Sequence, residues 1–312
     1  MNRMSSARRK GLTTAAVALA AVGGIAAAVI PAYATEGHTG KDTTILATSL
    51  RGANEVPVAG GPAVGDKDGA ALEFIKVRGD KVSVAVAWRH IGRPTSLHIH
   101  EGAKGTNGGV KIDFGGLLHK AKGHTVTGTV KVNDPALLKR LTTEPGSFYA
   151  NLHTAQFPGG AVRGQLHGIT TPVTFRAATH SFQASVVKGK QIYQCKPADG
   201  GGHAFAQRDV NALLGGSIRH SFVKPNSGTP QWTAPDGSAV TGALIGKTPN
   251  GKGNIPELDL KATGSGRHHG LLAGTAEILR LNTVGGVAPA GSCTPGSIAA
   301  VPYQADYIFV QR

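Results

Sequence analysis

Short apolar runs separated by turn-forming residues dominate the chain after its first 42 residues. The runs are rich in Val, Ile, Leu and Thr, and Gly, Pro, Asn and Asp mark their ends. Amphipathic helical patterns stay below about three turns. Predicted strands cover 70–77, 81–90, 124–132, 147–153, 161–167, 174–177, 181–187, 273–281 and 303–310. This pattern is typical of an all-β protein built from short strands.

Two segments carry helical signals instead. Asp134 precedes Pro135, which predicts an N-cap and the first residue of a short helix that extends to Leu141. The segment 208–214 is interpreted as a turn of helix.

The length of the chain favours two domains. The segment 168–172 (GITTP) is typical of a joint between them, which places the first domain at 43–168 and the second at 173–312. Residues 35–42 are polar and are predicted to form a flexible leader.

The N-terminus has the pattern of an export signal over residues 1–34. Residues 1–11 are basic, residues 12–30 are mainly apolar, and Ala32-Tyr33-Ala34 fits a small-x-small cleavage site. The alternative, an uncleaved anchor, needs about 20 continuous apolar residues, whereas Gly23-Gly24 and Pro31 interrupt this run. We therefore expect a soluble, secreted protein with no membrane span after cleavage.

The charge is strongly basic, with 33 Lys and Arg against 18 Asp and Glu. A basic surface outside the cell is compatible with weak adhesion to an anionic envelope polymer, although charge that serves only solubility is the simpler interpretation. Nucleic acid is not an expected partner, because no recognition motif occurs and aromatic residues make up only 5% of the chain.

Cysteine usage predicts one disulfide. Cys195 and Cys293 are the only two cysteines, and an even count in an exported protein favours a bridge, here closing a loop of about a hundred residues.

Five ordered segments of the first half resemble the CHRD domain family, which is named for repeats in chordin. They are 50–57 (LRGANEVP), 69–71 (GAA), 98–102 (HIHEG), 149–154 (YANLHT) and 157–166 (FPGGAVRGQL). The resemblance implies an immunoglobulin-like β-sandwich or barrel in an extracellular module, with an extracellular protein as one class of partner. It brings no agreed activity for the unit itself.

The second half resembles an uncharacterised domain of secreted bacterial and fungal proteins. The similarity lies in 193–195 (YQC), 230–232 (PQW), 236–238 (DGS), 282–289 (NTVGGVAP), Cys293 and 301–309 (VPYQADYIF). This family implies no function.

The segment 97–101 (LHIHE) is more distantly similar to the strand of copper,zinc superoxide dismutase that carries a His-x-His copper pair. Strand alternation places Leu97 and Ile99 on one face and His98 and His100 on the other. The same test on 148–153 puts His153 on the outer face. These three histidines are the predicted metal ligands, with His119 as a further candidate, and copper or zinc is the predicted ion.

A structural role is the alternative for these histidines: they would hydrogen-bond loop carbonyls, with Glu101 orienting one ring. A complete dismutase site is not expected, because the span between His100 and His153 contains no His-rich, Asp-containing zinc loop. For Arg163 we weigh a role as an anion guide beside the metal and an ion pair with Glu55 or Glu101.

The second half offers one further candidate site. His220, Trp232 and Asp236 are predicted to line a ligand pocket with Trp232 as a stacking surface, and the alternative is that Trp232 is a packing anchor. His268-His269 lies between glycines, as in an exposed turn. The common hydrolase, protease, nucleotide and redox motifs are absent.

Together these patterns favour an extracellular binding or structural module with no evident catalytic chemistry, capable of existing as a monomer. The alternative function is a copper- or zinc-binding metalloprotein that uses the His-x-His site. No catalytic residues are assigned.

Overall fold

The computed structural model describes residues 43–312. The predicted export signal and the leader at 35–42 lie outside the described residues.

The first half is one antiparallel sheet of nine strands, in the order β5-β4-β7-β8-β1-β2-β3-β6, with β9 also paired to β1. The strands are β1 (Thr43–Arg51), β2 (Ala70–Arg78), β3 (Lys81–Arg89), β4 (Pro94–Glu101), β5 (Val110–Asp113), β6 (Thr125–Lys131), β7 (Phe148–Thr154), β8 (Val162–Gln165) and β9 (His167–Gly168). One face of every long strand contributes to a shared apolar core, which includes Leu46, Ile75, Val84, Leu97 and Leu152.

The predicted helix of the first half is confirmed as α1 (Pro135–Thr143). Asp134 accepts a hydrogen bond from the backbone N–H of Leu137, which satisfies one of the free donors at a helix start. Leu138 and Leu141 are buried in the core of the sheet. This amphipathic face fixes the helix against the sheet.

The second half is a closed barrel of eight antiparallel strands in chain order. They are β10 (Phe182–Pro197), β11 (His203–Leu214), β12 (Ile218–Phe222), β13 (Pro230–Thr233), β14 (Ala239–Thr248), β15 (Glu257–Gly264), β16 (Thr275–Gly285) and β17 (Ile298–Gln311). The all-β prediction is confirmed for both halves. The predicted disulfide is also confirmed, since Cys195 on β10 is bonded to Cys293 just before β17.

Two local predictions were wrong. The segment 174–177, predicted as a strand, belongs to a short helix, α2 (Phe175–Ala178), because the Thr174 hydroxyl caps its N-terminus by accepting from the Ala177 N–H. The segment 208–214, interpreted as a turn of helix, is the end of β11. There Val210, Ala212 and Leu214 point into the barrel, and this period of two is that of a strand.

Sheet and barrel pack against each other through a second apolar cluster. It joins Ile45, Ala47 and Phe74 of the sheet to Leu279, Ile308 and Val310 of the barrel, with Ile169 and Val173 of the connecting segment. Beside it, the buried Asp306 accepts hydrogen bonds from Ser49 and Arg51 on β1 and from Asn282 on β16. The two predicted domains, 43–168 and 173–312, therefore share buried surface, and the boundary between them stays a prediction.

None of the helices in the described part of the chain has the length and apolar character needed to cross a membrane.

Candidate metal centre

Neighbouring strands β4 and β7 bring three histidines together on the outer face of the sheet. Leu97 and Ile99 on β4 and Leu152 on β7 have no exposed surface and point into the core. Their neighbours His98, His100 and His153 therefore project from the opposite face, as alternation along a strand requires. One ligand nitrogen from each histidine lies within 4.8 Å of those from the other two.

The rings lie close but do not stack on one another. The centroid of His98 is 5.5 Å from that of His100 and 5.2 Å from that of His153, with the ring planes steeply inclined. A transition-metal ion binds imidazole nitrogens at about 2.0–2.1 Å, so the rings would have to move slightly closer around an ion.

One nitrogen of each ring is already held by a neighbour. The Nδ1 atoms of His100 and His153 lie 3.0 Å from the carbonyl oxygens of Gly108 and Pro158, respectively. The Nε2 atom of His98 lies 3.5 Å from a carboxylate oxygen of Asp113 on β5. Such contacts fix the orientation of a ring and determine which nitrogen carries the proton.

The other nitrogen of each ring is buried and has no hydrogen-bond partner. These three atoms are Nδ1 of His98, Nε2 of His100 and Nε2 of His153. Buried polar atoms are nearly always satisfied in native structures, so one exception in each of three clustered histidines calls for an explanation. All three carry a lone pair when the bonded nitrogen holds the proton.

Burial also favours the neutral form of two of the rings. Desolvation lowers the pKa of His98, and the neighbouring His153 adds to this effect. Desolvation likewise lowers the pKa of His100, with contributions from His98, His153 and Arg163. A neutral imidazole is the form that can bind a metal ion.

Arg163 supports the loop that covers the site. Its guanidinium lies 3.4 Å from the centroid of the Tyr149 ring, and Tyr149 stacks on His100. Arg163 also donates hydrogen bonds to Asn107 and to the carbonyl of Thr106. It is 2% exposed, so it is anchored beneath the loop rather than open to a passing anion.

The prediction that Arg163 forms an ion pair with Glu55 or Glu101 was wrong. Glu101 pairs instead with Arg140 and Lys111, and it orients none of the three rings. Glu55 accepts a hydrogen bond from Asn151, and desolvation by burial raises its pKa to about 7, against the opposing effect of the Arg163 charge. Instead, the backbone carbonyls of Ala103 and Thr106 in the loop accept hydrogen bonds from the Arg163 guanidinium. No sequence pattern indicates this arrangement.

The remaining candidates lie elsewhere. His119 is exposed in a 3-10 helix at Gly115–Lys120 and is not one of the three clustered histidines. His268 and His269 are exposed, as expected. Sequence reasoning missed three residues of the site. They are Asp113, whose carboxylate faces His98, and Gly108 and Pro158, whose backbone carbonyls face His100 and His153.

The predicted pocket residues of the second half are divided between two environments. His220 and Trp232 are buried inside the barrel and stack with their centroids 4.3 Å apart. Burial lowers the pKa of His220 to about 3. Asp236 lies in the exposed turn after β13 and accepts hydrogen bonds from Ser238 and the Leu271 N–H, which lower its pKa to about 2. Ligand binding by these residues stays a prediction.

Comparison with known families supports both resemblances. Residues 46–166 match the CHRD domain, and residues 210–311 match a family described as a protein of unknown function (DUF3455). Comparison with curated proteins and with solved structures gave no match. The chain thus carries a CHRD domain followed by a domain of unknown function, and the CHRD domain together with the disulfide is compatible with an extracellular protein.

Proposed function

We propose that this protein is a secreted binding module whose CHRD domain holds one copper or zinc ion through His98, His100 and His153. The observation that carries the proposal is that each of these three clustered histidines has a buried ring nitrogen with no hydrogen-bond partner. Secretion rests on the export signal predicted at 1–34 and on the Cys195–Cys293 bridge.

The arrangement around the rings is that of an outer coordination shell. Metal-ligating histidines commonly donate their second N–H to a backbone carbonyl or a carboxylate. Here the carbonyls of Gly108 and Pro158 accept from His100 and His153, and the carboxylate of Asp113 lies 3.5 Å from Nε2 of His98. The structural alternative, hydrogen bonding to loop carbonyls, accounts for Nδ1 of His100 and of His153. It leaves the three remaining nitrogens without a partner, at a cost of about 1–3 kcal/mol for each buried unsatisfied group.

The donor set determines which ions fit. Imidazole nitrogen is a preferred ligand of copper and zinc, whereas magnesium and calcium prefer oxygen. Three protein ligands leave a coordination position for water or a further ligand. An ion bound there supplies Lewis acidity, and the proposal assigns no reaction to it.

The test is the retention of metal by variants that remove only the free nitrogen. In His100→Asn and His153→Asn, the amide nitrogen takes the place of Nδ1 and still reaches the loop carbonyl, but no atom replaces Nε2. In His98→Gln, the amide takes the place of Nε2 beside Asp113, and Nδ1 is lost. Copper(II) and zinc(II) are added separately to the purified protein, and excess ion is removed.

We expect about one copper or zinc ion per chain in the wild type. Each variant should bind the ion at least 10–100-fold more weakly, because the loss of an outer-shell partner alone already weakens metal binding by about that factor. Copper(II) should give an electron paramagnetic resonance spectrum with nitrogen hyperfine coupling that each variant alters.

His119→Asn is the matched control, since this exposed histidine of the same domain should not affect binding. Circular dichroism and thermal unfolding verify that the variants remain folded. Equal stoichiometry and an unchanged spectrum in a variant that combines all three substitutions would refute the proposal, and so would the absence of retained metal in the wild type.

A further inference from the structure

The interior of the barrel contains an arginine that has no acidic partner. Arg280 lies on β16 in the same orientation as Ile278, which belongs to the barrel core, and it is 9% exposed. Its guanidinium donates a hydrogen bond to the carbonyl of Pro256 at 2.8 Å and interacts with the Tyr307 hydroxyl. Among the described residues, no carboxylate forms an ion pair with it.

The buried acidic groups of the barrel strands are engaged on its outside. Glu257 pairs with Lys104 of the loop that follows β4. Glu277 accepts from the backbone N–H groups of Thr170 and Thr171 in the connecting segment, and Asp306 pairs with Arg51. None of these carboxylates is available to neutralise Arg280.

The unsatisfied polar side-chain atoms in the barrel interior are all donors. Besides Nε of Arg280, they are Nε1 of Trp232 and Nε2 of Gln191, and the last two residues are each 1% exposed. Trp232 contacts Tyr307 edge to face, and Tyr307 is the cross-strand partner of Arg280. The interior thus combines a cation with N–H groups that lack acceptors.

The aromatic residues around Arg280 do not provide the missing negative charge. Burial raises the pKa values of Tyr193, Tyr303 and Tyr307, so their hydroxyls stay protonated. His220 is neutral at neutral pH and adds no second cation. A buried charge without a partner is strongly unfavourable, so arginine is rarely buried unless it is paired.

We propose that the barrel binds a small anion against Arg280, assisted by the N–H groups of Trp232 and Gln191. The interior of an eight-stranded barrel is just wide enough to be filled by side chains or to hold one small ligand. A carboxylate of a small organic molecule and an inorganic anion share the chemistry that Arg280 recognises. This site is separate from the histidine cluster and does not depend on it.

The first test uses iodide, which quenches tryptophan fluorescence on contact. The variant Trp88→Phe removes the other tryptophan of the chain, so the emission reports Trp232 alone. We expect saturable quenching by iodide at constant ionic strength, although Trp232 is almost fully buried. Acetate and benzoate form the organic arm of a competition experiment, and chloride and phosphate form the inorganic arm. The arm that displaces iodide at the lower concentration identifies the class of ligand.

Arg280→Met should abolish saturable quenching, whereas Arg219→Met, which removes an exposed arginine of the same barrel, should leave it unchanged. Quenching that rises linearly with iodide, or that is equal in Arg280→Met and in the parent, would overturn the proposal.

A second measurement needs no substitution and decides the question if Arg280→Met does not fold. Crystals of the wild-type protein grown in bromide should show an anomalous peak inside the barrel, within hydrogen-bond distance of Arg280. Bromide on the protein surface with none in the barrel would mean an adventitious ion only, and would also overturn the proposal.

Discussion

Replacing both Cys195 and Cys293 with serine should lower the free energy of unfolding by about 4–5 kcal/mol. The bridge spans 98 residues and encloses most of the barrel. Without it, the unfolded chain gains the conformational freedom of a loop of that length. Denaturant unfolding followed by fluorescence measures the change.

The two tryptophans distinguish a local effect from a global one. Trp88 is buried in the sheet and Trp232 in the barrel, so Trp88→Phe and Trp232→Phe leave one reporter in each half. If the predicted domains 43–168 and 173–312 fold independently, only the transition reported by Trp232 moves. If the shared cluster around Ile45 and Ile308 couples them, both transitions move together.

Wild-type protein treated with a reductant is the matched control, and its stability should equal that of the double serine variant. A loss below about 1 kcal/mol would contradict the prediction, because it would mean that the bridge hardly restricts the unfolded chain.

Alternation along single strands explains why much of the candidate metal centre could be predicted. In Leu97-His98-Ile99-His100 the apolar and polar residues alternate strictly, and only one arrangement buries both apolar side chains. The pairing of β4 with β7, which brings His153 to the same place, follows from the fold. The role of Asp113 could not be predicted, because β5 is short and its register contains a bulge opposite β4.

Arg280 shows where such reasoning fails. The segment 277–281 (EILRL) lies on a strand that is buried on both faces. Alternation cannot indicate which polar side chain points into the barrel when the connecting segment and the sheet cover the outside. The wrong prediction for 174–177 has a similar cause, since the hydroxyl cap of Thr174 determines the local conformation despite the apolar pattern.

Glu73→Gln should remove a large pH dependence from the stability of the protein. Glu73 lies on β2 with no exposed surface, and neither of its carboxyl oxygens has a hydrogen-bond partner. Its strand neighbours are Thr48 and Val86. Burial raises the pKa of Glu73 from 4.5 to about 8, because the folded protein accommodates the neutral acid better than the carboxylate.

The direction of the effect follows from proton linkage. Between the unfolded and folded pKa values, the unfolded chain releases the proton and the folded protein keeps it, so stability falls as the pH rises. At 1.36 kcal/mol per pKa unit, the wild type should lose about 4 kcal/mol between pH 5 and pH 9 through this group alone. Glutamine preserves the shape of the side chain but cannot ionise.

The measurement is the difference in unfolding free energy between Glu73→Gln and the wild type, determined from pH 5 to pH 9. Because the other titrating groups are the same in both proteins, they cancel in the difference, which should grow in favour of the variant and level off above about pH 8. Glu144→Gln removes an exposed glutamate and should not reproduce the gain expected of Glu73→Gln, because water solvates this side chain. A flat difference for Glu73→Gln would mean that the Glu73 carboxyl ionises in the folded protein as readily as in the unfolded chain. Solvent, a cation or the hydroxyl of the neighbouring Thr48, which has no hydrogen-bond partner, would then have to stabilise the carboxylate inside the apolar core of the sheet.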